Sequence, residues 1–101
     1  MIRDKEYISS GELWSSNGKG AWHFISIAQN ISDEIKFFTK DFKKGWGSVR
    51  VIVKIGETEW NTSLFPDSKL GLYVLPVKSD VRKKEKIDIG DVVSLSIKLS
   101  I

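Results

Sequence analysis

The last third of the chain reads LYVLPVKSDVRKKEKIDIGDVVSLSIKLSI, at residues 72–101. This stretch predicts a strand that runs into a proline, a short basic helix that ends near Lys86, and a final strand. In the final strand, apolar residues from Val93 onward alternate strictly with serine and lysine, as expected when one face lies against a core. We expect Ser79 or Asp80 to cap the helix. This strand–helix–strand order is typical of small β-barrels.

The first half of the chain predicts a hairpin followed by a helix. Strand-forming residues span 6–14 and 21–27, and the turn signal Asn-Gly-Lys-Gly at 17–20 joins them. A helix is predicted by an apolar stripe with helical spacing, namely Ile31, Ile35, Phe38 and Phe42. We expect this helix to be capped at its start by Asn30 or Ser32 and closed at its end by Lys43, Lys44 and Gly45.

The middle of the chain predicts three more strands. Valine and isoleucine occupy every second position over 49–55, and Gly56 with Glu57 forms a turn. A strand at 59–65 is expected to end at Pro66, because proline cannot donate to the ladder. A turn at 66–69 and a strand at 70–77 follow.

The length of 101 residues suits one core and is too short for two. Six short strands with a helix across an open end therefore predict a single domain over residues 1–101. We expect a mainly β fold with two helices, built as a small closed or double-split β-barrel.

Composition excludes several classes of function. The chain has no cysteine, which excludes disulfides, thiolate catalysis and cysteine-ligated zinc, and its single histidine excludes a histidine-rich metal site. No apolar run approaches the ~20 residues that span a bilayer, and the first residues lack the apolar core of a signal peptide. We therefore expect a cytoplasmic protein with no membrane contact, no cofactor and no metal. The net charge of +3 permits an acidic partner without requiring one.

The sequence contains no recognisable catalytic motif. His23 stands alone in a predicted strand, where a packing role is more typical than that of a base. Carboxylate pairs such as Asp33 with Glu34 lie at a helix start, where capping explains them. The Gly-Trp-Gly at 45–47 lacks the lysine and hydroxyl residue of a phosphate loop. We therefore expect no enzymatic activity.

The tryptophans suggest a binding site. Four are present, at Trp14, Trp22, Trp46 and Trp60. Core packing is one explanation, favoured for Trp22 because Phe24 shares its face. The alternative is that aromatic side chains line a groove. We predict such a site at the barrel rim, for a small polar or anionic ligand. Its residues would be Trp60, Thr62, Ser63, Lys78 and Arg82. The protein would then be a non-catalytic binding module, either a monomer or a weak homodimer.

The basic segment suggests a second function. Lys78, Arg82, Lys83, Lys84 and Lys86 lie on or beside the predicted second helix. One interpretation is a solvated face, and the other is a surface that contacts nucleic-acid phosphates. A second basic set would extend this surface if the two helices lie side by side, and it comprises Lys36, Lys40, Lys43, Lys44 and Arg50. The alternative function is therefore DNA or RNA binding.

The tail resembles the barrel unit of the AbrB/SpoVT-like transition-state regulators. Arg82, Ile87 and the Gly-Asp pair at 90–91 keep the spacing of that family. Two departures are that Pro76 lies two residues further from Arg82, and that Glu85 stands where the regulators place a leucine. Those regulators also build a barrel from two short chains, whereas this chain has enough strands to close one alone.

A second resemblance covers nearly the whole chain. The ordered motifs are Trp22-His-Phe-Ile, Gly45-Trp-Gly-Ser-Val-Arg-Val, Trp60-Asn-Thr-Ser-Leu-Phe-Pro, Tyr73-Val-Leu-Pro-Val-Lys, Val81-Arg-Lys and Gly90-Asp-Val-Val. Together they are similar to a prokaryotic family, domain of unknown function nineteen-oh-five. The resemblance implies a single-chain double-split β-barrel of AbrB-like architecture. It implies no activity, because a shared fold does not supply a function.

Overall fold

The computed structural model describes residues 5–16, 22–41 and 47–100. Its elements in chain order are β1 (Glu6–Ser15), β2 (His23–Ser26), α1 (Gln29–Thr39), β3 (Val49–Ile55), β4 (Thr58–Asp67), β5 (Leu72–Pro76), α2 (Ser79–Glu85) and β6 (Val92–Leu99). The six strands pair antiparallel and close into a barrel in the order β1-β2-β5-β4-β3-β6. The predicted mainly β barrel with two helices is therefore confirmed. In the described ranges, neither helix has the length and apolarity needed to cross a bilayer.

The interior of the barrel is filled by alternate residues of the strands. In β3 the inward positions are valine or isoleucine throughout, and in β6 they are valine, leucine and isoleucine, as the alternation predicted. Fully burying one such side chain contributes about 1.5–3 kcal/mol. Gly11 lies where β1 approaches β2, and a Cβ there would collide with the backbone oxygen of Ser26. Glycine at this position allows the two strands to come close.

The two helices cover opposite ends of the barrel. α1 follows the end of β2, and its Ser32 hydroxyl donates to the Ile27 carbonyl and accepts from the Tyr73 N–H at the start of β5. α2 instead follows the end of β5. Because β2 and β5 are antiparallel neighbours, their ends lie at opposite ends of the barrel.

This placement corrects one expectation about the basic residues. Lys36 and Lys40 lie on or next to α1, so they do not extend the basic segment of α2. Arg50 faces outward from β3, opposite Ser63. Lys43 and Lys44 lie outside the described residues.

The helix termini differ from the predicted caps. α1 begins after Ala28, and neither Asn30 nor Ser32 caps it, since the Ser32 hydroxyl is already used to bind β5. Lys78 occupies the N-cap position of α2 without a side-chain cap, so the expected roles of Ser79 and Asp80 were wrong. The expected end near Lys86 is confirmed. The predicted turn at 17–20 and the predicted closure at 43–45 lie outside the described residues.

The sequence predicted that β4 ends at Pro66, but the strand continues through Pro66 to Asp67. β3 pairs with β4 only as far as Leu64, while Pro66 lies opposite Tyr73 of β5. At Pro66, β4 therefore has a neighbour on one side only, and proline is tolerated on such an edge.

Candidate functional site

The three predicted site residues of β4 do not share one face. Trp60 lies opposite Val53 of β3, and Thr62 lies opposite Val51. The two valine side chains are in the core, so Trp60 and Thr62 are on the inward face. Trp60 is half-buried and packs against that core. Ser63 points to the other face of the strand, opposite Arg50. Because side chains alternate between the two faces of a strand, Ser63 lies on the opposite face from Trp60 and Thr62.

The two predicted residues of the α2 region have different environments. Lys78 is exposed, whereas Arg82 is half-buried and its Nε–H donates to the Val77 carbonyl at 3.2 Å. Arg82 lines a cavity of about 300 Å³ at the end of the barrel that α2 covers. The other lining residues are Leu13, His23, Ile87, Asp88 and Ile89. None of them belongs to β4, so Trp60, Thr62 and Ser63 do not line the cavity of Arg82.

Val77 forms hydrogen bonds with two residues of this cavity. The Val77 N–H donates to the His23 carbonyl at 2.9 Å, and the Val77 carbonyl accepts from Arg82. His23 lies two positions before the buried Ile25, which places it on the inward face at the open start of β2. The residue after β5 therefore binds the backbone of His23 and the guanidinium of Arg82.

The opposite wall is the turn between α2 and β6. Gly90 donates its N–H to the Leu13 carbonyl at 2.9 Å, and the Leu13 N–H donates to the Asp91 carbonyl at 2.9 Å. Within the turn, the Asp88 N–H donates to a carboxylate oxygen of Asp91 at 2.8 Å. Gly90 has a φ of 95°, which favours glycine. The Ile-Asp-Ile-Gly-Asp motif thus binds to β1 and brings Ile87, Asp88 and Ile89 to the cavity.

The cavity combines the Arg82 guanidinium with apolar side chains and one acidic residue, Asp88. Among the described residues, Arg82 has no carboxylate within 4.0 Å, and its side chain makes one hydrogen bond, through Nε. Its terminal guanidinium nitrogens have no hydrogen-bond partner among the described residues. A guanidinium in a fixed orientation can bind a carboxylate or phosphate through two parallel hydrogen bonds. This arrangement suits a small anion.

His23 is the functional candidate that sequence reasoning missed. A lone strand histidine indicated packing, yet its two-residue spacing from Ile25 marked it as inward-facing. Only the register of β2 against β5 shows that it lies beside Arg82. In residues 5–16, 22–41 and 47–100, no group of three or more histidines and carboxylates is placed to hold a metal ion.

A second cavity, of about 370 Å³, lies at the opposite end of the barrel between α1 and the β4–β5 turn. Its walls carry Asp33 and Lys36 from α1, and Asp67 and Tyr73 from the strands. Burial raises the pKa of the Tyr73 hydroxyl, and a hydrogen bond with Thr39 partly opposes that rise. Its two carboxylates, Asp33 and Asp67, outnumber its one lysine, Lys36, so this cavity does not favour an anionic ligand.

Comparison with known proteins gives a family but no activity. The family model described as "Domain of unknown function (DUF1905)" matches residues 10–97. No curated protein matches the chain. The match covers all six strands in whole or in part, together with both helices and every residue that lines the Arg82 cavity.

Proposed function

The chain belongs to the DUF1905 family, and on that premise we propose that it is a non-catalytic module that binds a small anionic ligand. The binding site is the cavity between α2 and the barrel. The observation that carries the proposal is the Arg82 guanidinium, held through Nε by Val77 with its terminal nitrogens free of protein partners in the described residues.

The composition of the cavity supports binding over catalysis. A volume of about 300 Å³ admits a small molecule. Leu13, Ile87 and Ile89 supply apolar contact, and His23 adds a second polar group beside Arg82. Among the described residues, no serine, threonine or lysine side chain lines the cavity, so a covalent mechanism would have only His23 and Asp88 as possible nucleophiles. Lys78, exposed next to Val77, adds positive charge near this end of the barrel.

The test uses inorganic phosphate and malonate as probes. In ¹H–¹⁵N spectra, we expect the Arg82 side-chain Nε–H and the His23 amide to shift during titration with one or both anions. Arg82→Lys keeps the charge and removes the two-pronged geometry, so it should weaken binding about tenfold or more. Arg50→Lys, on the outer face of β3, is the matched control and should leave binding unchanged. Shifts that persist equally in Arg82→Lys, or none with either anion, would contradict the proposal.

Nucleic-acid binding through α2 is the second candidate, and the distribution of charge favours it. Residues 78–86 contain five basic and two acidic residues, so this segment alone carries a net charge equal to the +3 of the whole chain. Lys78, Lys83, Lys84 and Lys86 are exposed. Among the described residues, the one ion pair is elsewhere, between Lys5 and Glu34.

The second acidic residue of the segment does not neutralise these lysines. Glu85 accepts a hydrogen bond from the Thr58 hydroxyl of β4, so its carboxylate is directed at the barrel. The resemblance of the tail to AbrB-like regulators supports the same candidate by analogy of architecture alone. We expect binding to a short DNA duplex that weakens steeply between about 50 and 200 mM salt. Absence of binding to both a duplex and a single strand at low salt would exclude this candidate.

We also propose a cytoplasmic location and a monomeric or weakly dimeric state. The lack of cysteine agrees with a reducing compartment. Sedimentation velocity over a range of protein concentrations tests the assembly, and a stable dimer at all concentrations would contradict it.

A further inference from the structure

The outward aromatic residues of the barrel lie away from β6. Outward residues of β3 and β6 are mostly charged or serine, as in Lys54 and Lys98. On β1, β2 and β4, the outward residues include Trp14, Phe24 and Phe65. Trp14 and Phe24 face each other across the β1–β2 pair, beside the inward pair of Leu13 and Ile25. We call Trp14, Trp22, Phe24 and Phe65 the aromatic surface.

Trp22 is the most accessible member of the aromatic surface. Its side chain is 65% exposed, which corrects the expectation that it packs in the core. Its ring centroid lies 6.4 Å from that of Phe24, with an interplanar angle of 15°. The backbone of Trp22 is fixed by two hydrogen bonds with Ser16, because its N–H donates to the serine hydroxyl and its carbonyl accepts the serine N–H. An exposed indole is thus presented on a fixed backbone.

The rest of the aromatic surface is rigid. The rings of Trp14 and Phe24 are in contact, with centroids 5.0 Å apart. The Trp14 indole N–H donates to the Ser26 hydroxyl at 3.0 Å, so the polar group of this side chain already has a partner within the protein. Rings on adjacent antiparallel strands lose little freedom when a flat ligand stacks on them.

Positive charge lies at both ends of the aromatic surface. Phe24 lies opposite Pro76, and the basic segment begins two residues later with the exposed Lys78. At the other end, Lys69 lines a groove of about 480 Å³ with Trp14, and it is exposed. Asp67 lines the same groove, but one of its carboxylate oxygens accepts the N–H groups of Lys69 and Leu70.

We propose that the aromatic surface and the basic segment together bind single-stranded nucleic acid. Bases stack on Trp22 and Phe24, and backbone phosphates contact Lys78 and Lys69. Aromatic platforms bordered by lysines are the arrangement that binds single strands with little sequence preference. A duplex offers phosphates to the lysines but no free base to Trp22. A protein partner would use the exposed rings and leave the flanking lysines without a role. The inference extends the second candidate function and is independent of the Arg82 cavity.

The experiment compares single strands with a duplex by fluorescence anisotropy. The probes are labelled oligothymidylate and oligouridylate of about twelve nucleotides, and a DNA duplex of the same length. We expect tighter binding of one or both single strands than of the duplex, with quenching of tryptophan emission. Trp22→Ala should weaken single-strand binding about tenfold or more. Lys78→Gln should reduce the slope of log affinity against log salt by about 0.7.

Phe37→Ala is the matched control. Phe37 is also 65% exposed and aromatic, but it lies on α1 at the other end of the barrel. Its removal should leave binding unchanged, and far-UV circular dichroism confirms that both variants fold. Equal losses in Trp22→Ala and Phe37→Ala would overturn the inference.

The remaining outcomes separate the inference from the function that it extends. Salt-sensitive duplex binding that Trp22→Ala does not change would overturn stacking and leave the basic-segment candidate standing. No binding of any probe at about 50 mM salt would overturn both. Self-association that Trp22→Ala abolishes, without nucleic-acid binding, would assign the aromatic surface to contact between two copies of the chain.

Discussion

Removal of one buried hydroxyl is expected to stabilise this protein. Tyr7 is inward-facing on β1 and only 2% exposed, and its hydroxyl has no hydrogen-bond partner among the described residues. A buried polar group without a partner costs about 1–3 kcal/mol relative to a paired one. Tyr7→Phe removes the hydroxyl and keeps the ring that packs in the core. We therefore expect the free energy of unfolding to rise by about 1 kcal/mol, and Tm to rise by about 4–8 °C for a domain of this size.

Tyr73→Phe is the matched control for Tyr7→Phe. Tyr73 is also inward-facing and is 3% exposed, but an interaction with Thr39 partly offsets the rise in the pKa of its hydroxyl, as expected for a hydrogen-bonded group. Loss of that hydrogen bond should lower the free energy of unfolding by about 0.5–1.5 kcal/mol. The same substitution in two buried tyrosines is thus expected to have opposite signs.

Urea denaturation measures both tyrosine variants. The midpoint should move up for Tyr7→Phe and down for Tyr73→Phe, with the slope m unchanged in each case. A Tyr7→Phe midpoint at or below that of the unmodified protein would refute the reasoning. It would mean that the Tyr7 hydroxyl has a stabilising partner, such as a bound water.

Three further predictions follow from backbone geometry and titration. Gly11→Ala should lower the free energy of unfolding by about 2 kcal/mol or more, because the added Cβ collides with the Ser26 carbonyl oxygen. An unchanged midpoint of urea denaturation would mean that β1 and β2 can separate at this position. Lys86→Gly should raise that free energy by about 0.5–1 kcal/mol, because Lys86 ends α2 at a φ of 55°; an unchanged thermal midpoint would contradict this. Burial raises the pKa of Tyr7 and Tyr73 above the ordinary value of about 10, so the unfolded chain loses these protons first. Stability should therefore be full below about pH 10 and fall as pH rises toward the folded-state values; Tyr7→Phe should show a smaller fall, and an identical fall would exclude Tyr7 as a contributor.

The sequence predicted the elements whose periodicity is local. β3 and β6 were found correctly because alternate valine, isoleucine and leucine residues fill one face, and that pattern needs no knowledge of the neighbouring strands. Both helices were also found, the first of them from its apolar stripe. Their caps were not, because Ser32 has two uses, as a helix cap or as a partner for β5, and only the packed fold selects the second.

The candidate site was less predictable because it depends on register between distant strands. Arg82 was identified from composition, but its neighbour His23 lies 59 positions earlier in the chain and reaches it only through pairing of β2 with β5. Trp60 and Ser63 were grouped because they are close in sequence, although three positions along a strand place them on opposite faces. The continuation of β4 through Pro66 likewise depends on where β3 ends.

Both proposed ligand sites depend on how α2 is attached to the barrel. Its first half is held because Arg82 binds the Val77 carbonyl at the end of β5, and its last turn is held because Glu85 accepts a hydrogen bond from Thr58 of β4. Val81, which is 7% exposed, packs into the core one residue before the first of these attachments. α2 has only seven residues, too few to be stable alone, so these contacts rather than helix propensity fix its position. The basic segment is therefore positioned by the closed barrel, which also places Arg82 at its cavity.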